Sequence, residues 1–317
     1  MAKLKTLFEC EACGNQQSKW MGKCPQCGAW ESFIELSNEQ IKASQELAKL
    51  TKTTKNATPI SQIQIEQIKR KSTGDNELDL VLGGGVVSGS LVLIGGSPGI
   101  GKSTLLLKIA SNLANDNQKV LYVSGEESAS QIKLRADRLN ANSDNLFLLT
   151  EIDLSSILAE VAKNEYKAIV IDSIQTLYSD KISSAPGSIS QVREITFELM
   201  RLAKKDDIAI FIIGHITKEG SIAGPRILEH MVDVVLYFEG DSSKELRILR
   251  GIKNRFGTTS EVGIFEMRSN GLVSAKDISS KFFTRGSAVS GSAITVTMEG
   301  SRALVVEIQA LVCESSY

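Results

Sequence analysis

The run Leu91-Val92-Leu93-Ile94-Gly95-Gly96-Ser97-Pro98-Gly99-Ile100-Gly101-Lys102-Ser103-Thr104 joins a short apolar strand to a glycine-rich turn and the start of a helix. Gly96 to Ser103 fits G-x-x-x-x-G-K-[ST] at every position. Glycines leave room for backbone N–H groups to wrap an anion. The following helix points its positive dipole end at the same place. In that chemistry Lys102 reaches the β- and γ-phosphates of a bound nucleotide and the Ser103 hydroxyl holds Mg2+. Gly96, Ser97, Pro98, Gly99, Ile100, Gly101, Lys102, Ser103 and Thr104 form the nucleotide cradle.

Outward from this loop, strands and helices alternate. Helical spacing of apolar residues covers Ser103–Ala114, Ala129–Leu139, Asp153–Lys163 and Ser190–Lys204, with Asp153 placed as an N-cap. Apolar strands cover Lys119–Ser124, Asn145–Thr150, Ala168–Asp172 and Ile208–Gly214. Near-continuous apolar strands between helices predict an α/β fold with a mostly parallel sheet covered on both faces. Ligands of such sheets bind at the carboxyl ends of the strands. Val232–Phe238, Glu245–Gly251 and Val262–Met267 follow without intervening helices and predict an antiparallel edge.

The phosphate loop needs carboxylate partners. Asp172 ends the strand Ala168-Ile169-Val170-Ile171-Asp172, where a carboxylate holds Mg2+ through water. Glu126 and Glu127 follow Lys119–Ser124 through Gly125, and Glu126 is read as the group that orients the attacking water.

Composition adds bounds. The chain has 317 residues, 42% of them hydrophobic, enough for a large core. With Lys+Arg 36 against Asp+Glu 37 the net charge is -1, so any DNA contact must come from local basic patches. No apolar run approaches the ~18 residues of a membrane span, and no signal peptide is visible. A cytoplasmic location is expected. Cysteines there serve as metal ligands more often than as disulfides. Cys10-x2-Cys13 and Cys24-x2-Cys27 suit one tetrahedral structural Zn2+. A module of about 35 residues hardly folds without such a staple. The segments are thus 1–34, the four-cysteine module; 35–65, a polar linker with a possible short helix over Gln40–Leu50; 66–280, the ATPase domain; and 281–317, a further domain's start.

These residues resemble a known family. Ser72-Thr73-Gly74, Glu77-Leu78-Asp79 and Leu82-Gly83-Gly84-Gly85 resemble the approach to the phosphate loop in RecA-fold ATPases. The module CEACG–CPQCG, the loop GGSPGIGKST, the turn YVSGEES, the stretch GHITKEGSIAGPRILEHMVD and the pentad Lys253-Asn254-Arg255-Phe256-Gly257 together resemble the bacterial RadA (Sms) family of DNA-repair ATPases. The match runs from Cys10 to about Gln309. The resemblance implies a RecA-like P-loop core, a DNA-dependent ATPase acting on single-stranded and branched DNA in recombination, cooperation with RecA, and a homo-hexamer in the full-length protein. Lys253 and Arg255, by themselves an exposed basic turn, would reach into the neighbouring subunit's nucleotide site. His215, Lys218 and Arg226, after the last core strand, are the DNA-contact candidates. Lys19, Trp20 and Lys23 suit contact of the zinc module with either DNA or protein.

Members of that family continue into a Lon-protease-like domain. Here it would begin near Ser287, with Ala293–Thr297 and Ala303–Ile308 as its first strands. A truncated domain is expected, with Gly286–Tyr317 disordered or aggregation-prone, because a few strands neither bury a core nor cover their edges. Three rivals share parts of the pattern: a self-phosphorylating clock-type ATPase, a zinc-ribbon adaptor that only binds nucleotide, and a peptidase. The pentad, the intact set Lys102, Ser103, Asp172 and Glu126, and the lack of a place for a Ser/Lys dyad argue against each in turn.

Overall fold

A computed structural model describes residues 8–35, 59–62, 69–115, 117–215, 227–240, 246–275 and 290–312. The N-terminal module consists of β1 (Phe8–Cys10), β2 (Gln16–Gln17) and β3 (Phe33–Glu35), paired in the order β2-β1-β3. Its interior is little more than Cys10, Cys13, Cys24 and Phe33. The possible helix over Gln40–Leu50 lies outside the described residues.

β4 (Arg70–Lys71) and β5 (Val86–Val87) pair antiparallel and bracket α1 (Asn76–Leu82). The Asp75 side chain caps α1 by accepting from the backbone N–H groups of Glu77 and Leu78, and Gly83 ends it at φ 80. That left-handed conformation is where glycine is favoured.

The main sheet comprises β6 (Leu91–Gly96), β7 (Lys119–Ser124), β8 (Leu146–Thr150), β9 (Tyr166–Asp172), β10 (Ala209–His215), β11 (Val234–Glu239), β12 (Leu246–Asn254), β13 (Val262–Arg268) and β14 (Gly271–Ser274). Their order is β14-β13-β12-β11-β6-β10-β9-β7-β8. The run from β8 to β11 is parallel, and β12, β13 and β14 add antiparallel. The sequence grouping placed Val232–Phe238 with the antiparallel edge. In the structure β11 lies parallel to β6, because α6 (Ile227–Met231) intervenes and lets the chain re-enter at the amino end of β6. The other helices are α2 (Lys102–Asn115), α3 (Ala129–Leu139), α4 (Leu154–Lys163) and α5 (Ile189–Asp206).

Alternate residues of each parallel strand face opposite cores. Val92, Ile94, Val120, Tyr122, Val170, Phe211 and Ile213 pack with α1, α2 and α3. Leu91, Leu93, Leu121, Val123, Ile169, Ile171, Ile210 and Ile212 pack with α4 and α5. Each fully buried aliphatic side chain contributes about 1.5–3 kcal/mol, so both faces select apolar residues. Local caps agree with this plan. Ser128 and Gln131 form a capping box on α3, Asp153 caps α4 and Ser188 caps α5.

The segment between β9 and α5 has no regular structure, yet it is pinned. Buried Gln191 accepts from the Ser179 N–H at 2.9 Å and donates to the carbonyls of Ser179, Ile182 and Ser184 at 2.9–3.0 Å.

Beyond the sheet, β15 (Ser292–Glu299) and β16 (Arg302–Gln309) form a hairpin. This differs from the disorder expected from Gly286 onward. Leu304 inserts among Val262, Ile264 and Ala275. Arg302 donates to the Glu77 carboxylate at 2.9 Å, and the other Glu77 oxygen accepts from the Ile264 N–H at 2.7 Å. The Ser301 hydroxyl donates to Glu261 at 2.9 Å, and Arg250 donates to Glu299 at 3.1 Å. The opposite hairpin face leaves Ile294, Val296 and Met298 exposed. Leu304→Asp would place an unpaired carboxylate in this contact. Limited proteolysis within 290–312 should then speed up roughly tenfold or more while the sheet stays resistant.

Candidate nucleotide site and zinc module

The phosphate loop turns between β6 and α2. Gly99 has φ +75 and Gly101 φ +118, and a Cβ on Gly101 would lie 2.7 Å from Leu272 Cδ1. Glycine is required at Gly101 on both counts. Lys102 is 4% exposed. Its Nζ donates to the carbonyls of Gly96 at 2.7 Å and Ser97 at 3.0 Å. Burial lowers its pKa to about 8, against the opposing pull of the Asp172 and Glu126 carboxylates. A second cation supports the loop from below: buried Arg247 on β12 donates from Nε to the Ile100 carbonyl at 3.3 Å. Sequence reading missed it, since an arginine in the alternating run Leu246-Arg247-Ile248-Leu249-Arg250 looks solvent-facing.

Register brings the carboxylates to the same rim. Ser124, the last residue of β7, pairs with Asp172, the last of β9. Asp172 is buried and accepts from the Tyr122 hydroxyl at 2.6 Å. The Ser103 side chain lies near enough to stabilise the charged form of the same carboxylate. Burial raises the Asp172 pKa, the Tyr122 and Ser103 hydrogen bonds oppose this, and the Glu126 and Glu127 charges add to the rise. Glu126 accepts from the Ser173 hydroxyl at 2.5 Å, directly beside Asp172. Glu127 is engaged differently: its carboxylate pairs with Arg135 on α3, and its N–H donates to Ser124 Oγ at 3.1 Å. A hydroxyl and a carboxylate near each other at the foot of a phosphate loop are the hard oxygen ligands that Mg2+ prefers.

Lys253 and Arg255 lie elsewhere. Asp233 donates its N–H to the Leu91 carbonyl, and Asn254 sits opposite Val234, which pairs with Val92. The pentad is therefore at the amino end of β6, a strand length of about 16 Å from Gly96. Lys253 Nζ donates to the carbonyls of Glu229, His230 and Val232 at 2.6, 3.1 and 2.7 Å. Arg255 donates to Asp233 Oδ1 and to the His230 carbonyl, both at 3.3 Å, and its side chain is 53% exposed. The pentad also meets the Leu82–Gly85 run: Asn254 donates to the Leu82 carbonyl at 3.3 Å, and Arg70 bridges the Leu82 and Phe256 carbonyls. His215 closes β10 beside Gly96. Lys218 and Arg226 lie outside the described residues.

In the N-terminal module Cys10 and Cys27 Sγ are 3.7 Å apart, Cys13 and Cys24 Sγ 3.5 Å, and all four sulfurs lie within 4.8 Å of one another. A tetrahedral zinc with bonds of about 2.3 Å spaces its sulfurs by about 3.8 Å. The four thiols thus fit zinc, and the set binds it. Gly14 and Gly28 take φ +72 and +76 after each cysteine pair, and their N–H groups donate to the Cys10 and Cys24 carbonyls. Burial pushes the Cys13 thiol up to about 12. At Cys24 burial is outweighed by the N–H groups of Cys27 and Gln26, which bring it to about 6. Ser32 lies 3.1 Å from Cys10 Sγ and Asn15 donates to Cys24 Sγ at 3.7 Å, the outer shell that orients such ligands. The module rests on α5 through Arg193, which donates to the Cys13 carbonyl at 3.3 Å. Trp20 and Trp30 stay 53% and 72% exposed, with Lys23 Nζ 5.2 Å from the Trp30 ring centre.

Comparisons with known proteins agree with this geometry. Residues 58–221 match the AAA domain family, and residues 8–35 match a rubredoxin metal binding domain. The chain is 71% identical over 317 residues to DNA repair protein RadA of Campylobacter jejuni, covering 100% of this chain and 71% of that protein. It is 64% identical over 317 residues to the protein of that name from Helicobacter pylori strain J99, covering 100% and 71%. For the Bacillus subtilis protein of that name the identity is 52% over 320 residues, covering 100% and 70%. Among solved structures, the RadB recombinase superposes with a TM-score of 0.50 at 22% identity, covering 65% of this chain and 99% of that one. That likeness concerns the fold alone, which is RecA-like. Among the described residues, no helix is long and apolar enough to cross a membrane.

Two outcomes follow from these sites. Cys24→Ser should abolish zinc retention and unfold residues 8–35, read by metal analysis and tryptophan fluorescence, while the circular-dichroism transition of the large sheet persists. Lys102 gives opposite pH trends. Its folded pKa of about 8 lies below the unfolded 10.5, so the unfolded chain binds more protons between those values. The contribution of Lys102 to stability therefore rises with pH across that window. Affinity for nucleotide should fall over the same window as the ammonium discharges. Denaturant midpoints and fluorescent-nucleotide titrations, each compared with Lys102→Met, check both trends.

Proposed function

The chain belongs to the RadA family of DNA repair proteins, and on that premise we propose that it is a DNA-dependent ATPase that processes recombination intermediates by branch migration, extending the joint between an invading strand and a duplex alongside RecA. That it is a P-loop ATPase rests on the AAA domain match and the RecA-like core. The observation that supports hydrolysis is the meeting of Lys102, Ser103, Asp172 and Glu126 at one strand rim, and the DNA-coupled part is proposed from the family.

The loop Gly96–Thr104 would cradle the triphosphate with its N–H groups. Lys102 would leave the Gly96 and Ser97 carbonyls for the β- and γ-phosphates, an exchange of neutral acceptors for charged ones that favours the bound state. Mg2+ held by Ser103, and by Asp172 through water, would supply charge neutralisation for the leaving diphosphate. Glu126 orients a water and accepts its proton. The oxygen of that water bonds to the γ-phosphorus, the bond to the bridging oxygen breaks, and ADP departs.

Because Arg255 and Lys253 sit about 16 Å along β6 from their own phosphate loop, they suit a site in a neighbouring subunit, where a cation stabilises the transition state in trans. A homo-hexameric ring in the cytoplasm, with single-stranded and branched DNA near His215, Lys218 and Arg226, completes the reading. Residues 1–34, 35–65, 66–280 and 281–317 would be its zinc module, linker, motor and the start of a Lon-protease-like domain.

Hydrolysis measured with and without single-stranded DNA tests the reading. DNA should raise the rate several-fold, and Lys102→Ala should abolish it; a rate indifferent to DNA in the assembled protein would overturn the DNA coupling. Arg255→Ala and Lys102→Ala should each be inactive alone. Mixed equally, they should restore activity at roughly a quarter of the interfaces, because a head-to-tail ring then pairs an intact site with an intact arginine. Mixed rings without recovery would rule out the arginine acting in trans.

A further inference from the structure

We infer that Tyr122 is a positioning residue for metal–nucleotide binding: from inside the sheet its hydroxyl fixes the orientation of the Asp172 carboxylate beside Ser103. The inference rests on the reading of Ser103 and Asp172 as the Mg2+ pair.

Tyr122 is 1% exposed and lies on the α2 side of β7. Register sets its reach. Tyr122 stands opposite Val170 and Ser124 opposite Asp172, so the ring, directed along the sheet toward the carboxyl end, brings its hydroxyl diagonally to Asp172 Oδ2 at 2.6 Å. A phenylalanine would fill the same space among Leu107, Ile132 and Ala136. The hydroxyl is thus not needed for packing. It donates to an anion instead, the stronger kind of hydrogen bond. Asp172 then has one fixed donor, Tyr122 from within the core, with Ser103 near it at the start of α2. The phenol restrains the terminal torsion of the carboxylate, which is otherwise broad. Without the phenol, Oδ2 is left buried and short of a donor, and the carboxylate turns to find one. Outer-shell partners of this kind change metal affinity by roughly 10–100-fold.

The test uses the full chain, Mn2+ in place of Mg2+, and electron paramagnetic resonance to count bound metal in the presence of a non-hydrolysable ATP analogue. Tyr122→Phe should weaken Mn2+ binding roughly tenfold, while metal-free binding of a fluorescent nucleotide in EDTA stays within about twofold, since Lys102 and the loop are untouched. Unchanged Mn2+ affinity in Tyr122→Phe would overturn the inference, provided Asp172→Asn lowers it. Should Asp172→Asn also leave it unchanged, the magnesium reading falls and takes the inference with it. Adding Tyr122→Phe to Asp172→Asn should cost less than about twofold more; a full further loss would show that the phenol acts elsewhere. A measurement independent of the Tyr122→Phe fold guards the outcome. In the unsubstituted chain the Tyr122 hydroxyl proton should give a slowly exchanging downfield nuclear magnetic resonance signal that vanishes in Asp172→Ala, which has no acceptor there. Its persistence there would equally overturn the inference.

Discussion

Strand β6 has parallel hydrogen-bonded neighbours on both sides, β10 on one and β11 on the other, and the functional geometry depends on this. Parallel pairing forces every carboxyl end to one rim, so Gly96, Ser124, Asp172 and His215 finish close together although up to 119 residues separate them. The same pairing sends the amino ends, with Asp233 and the pentad, to the far rim. One constraint therefore produces two chemically different edges, one built for phosphate and the other presenting cations outward. Both faces of β6 are buried, so neither edge shifts without disturbing a core.

The two edges also differ in how they treat charge. At the far rim each buried carboxylate is matched: Asp233 receives Lys204 at 2.8 Å and Arg255 at 3.3 Å, and nearby Glu198 on α5 receives Lys181 at 2.9 Å and Arg201 at 3.0 Å. Removing one member of such a set strands the other, a buried charge left without its partner. At the phosphate rim, Lys102 is held by neutral carbonyls and not by a carboxylate in direct contact. A weakly satisfied cation is available to an anionic ligand, whereas a saturated one is not.

Much of this was legible in the sequence because the parallel strands are apolar on both sides and their helices carry explicit caps; Lys119–Ser124 and Ala129–Leu139 coincide with the structure to the residue. The meeting of the phosphate loop with Asp172 followed from strand-end logic. What escaped depends on contacts far apart in sequence. α1 has seven residues, too few for periodicity to stand out. Glu77 reads as a surface glutamate, yet it is buried because Ile264 and Arg302, 187 and 225 residues away, use both its oxygens. Tyr122 reads as an ordinary core aromatic, and nothing in Lys119–Ser124 reveals that its hydroxyl meets an aspartate fifty positions later. The direction of β11 was also hidden, since the short helix before it, Ile227–Met231, gives no periodic signal.

The central place of β6 has a consequence for how the chain is made. Its partners β10 and β11 begin at Ala209 and Val234, long after Gly96. A ribosome adding about 5–20 residues per second needs roughly 6–23 s to cover the 113 residues from Gly96 to Ala209. Throughout that interval Leu91–Ile94 has neither of its two paired strands beside it. The strand that leads into the phosphate loop is therefore one that a nascent chain must keep from sticking to its neighbours until Ala209 and the residues after it have been made.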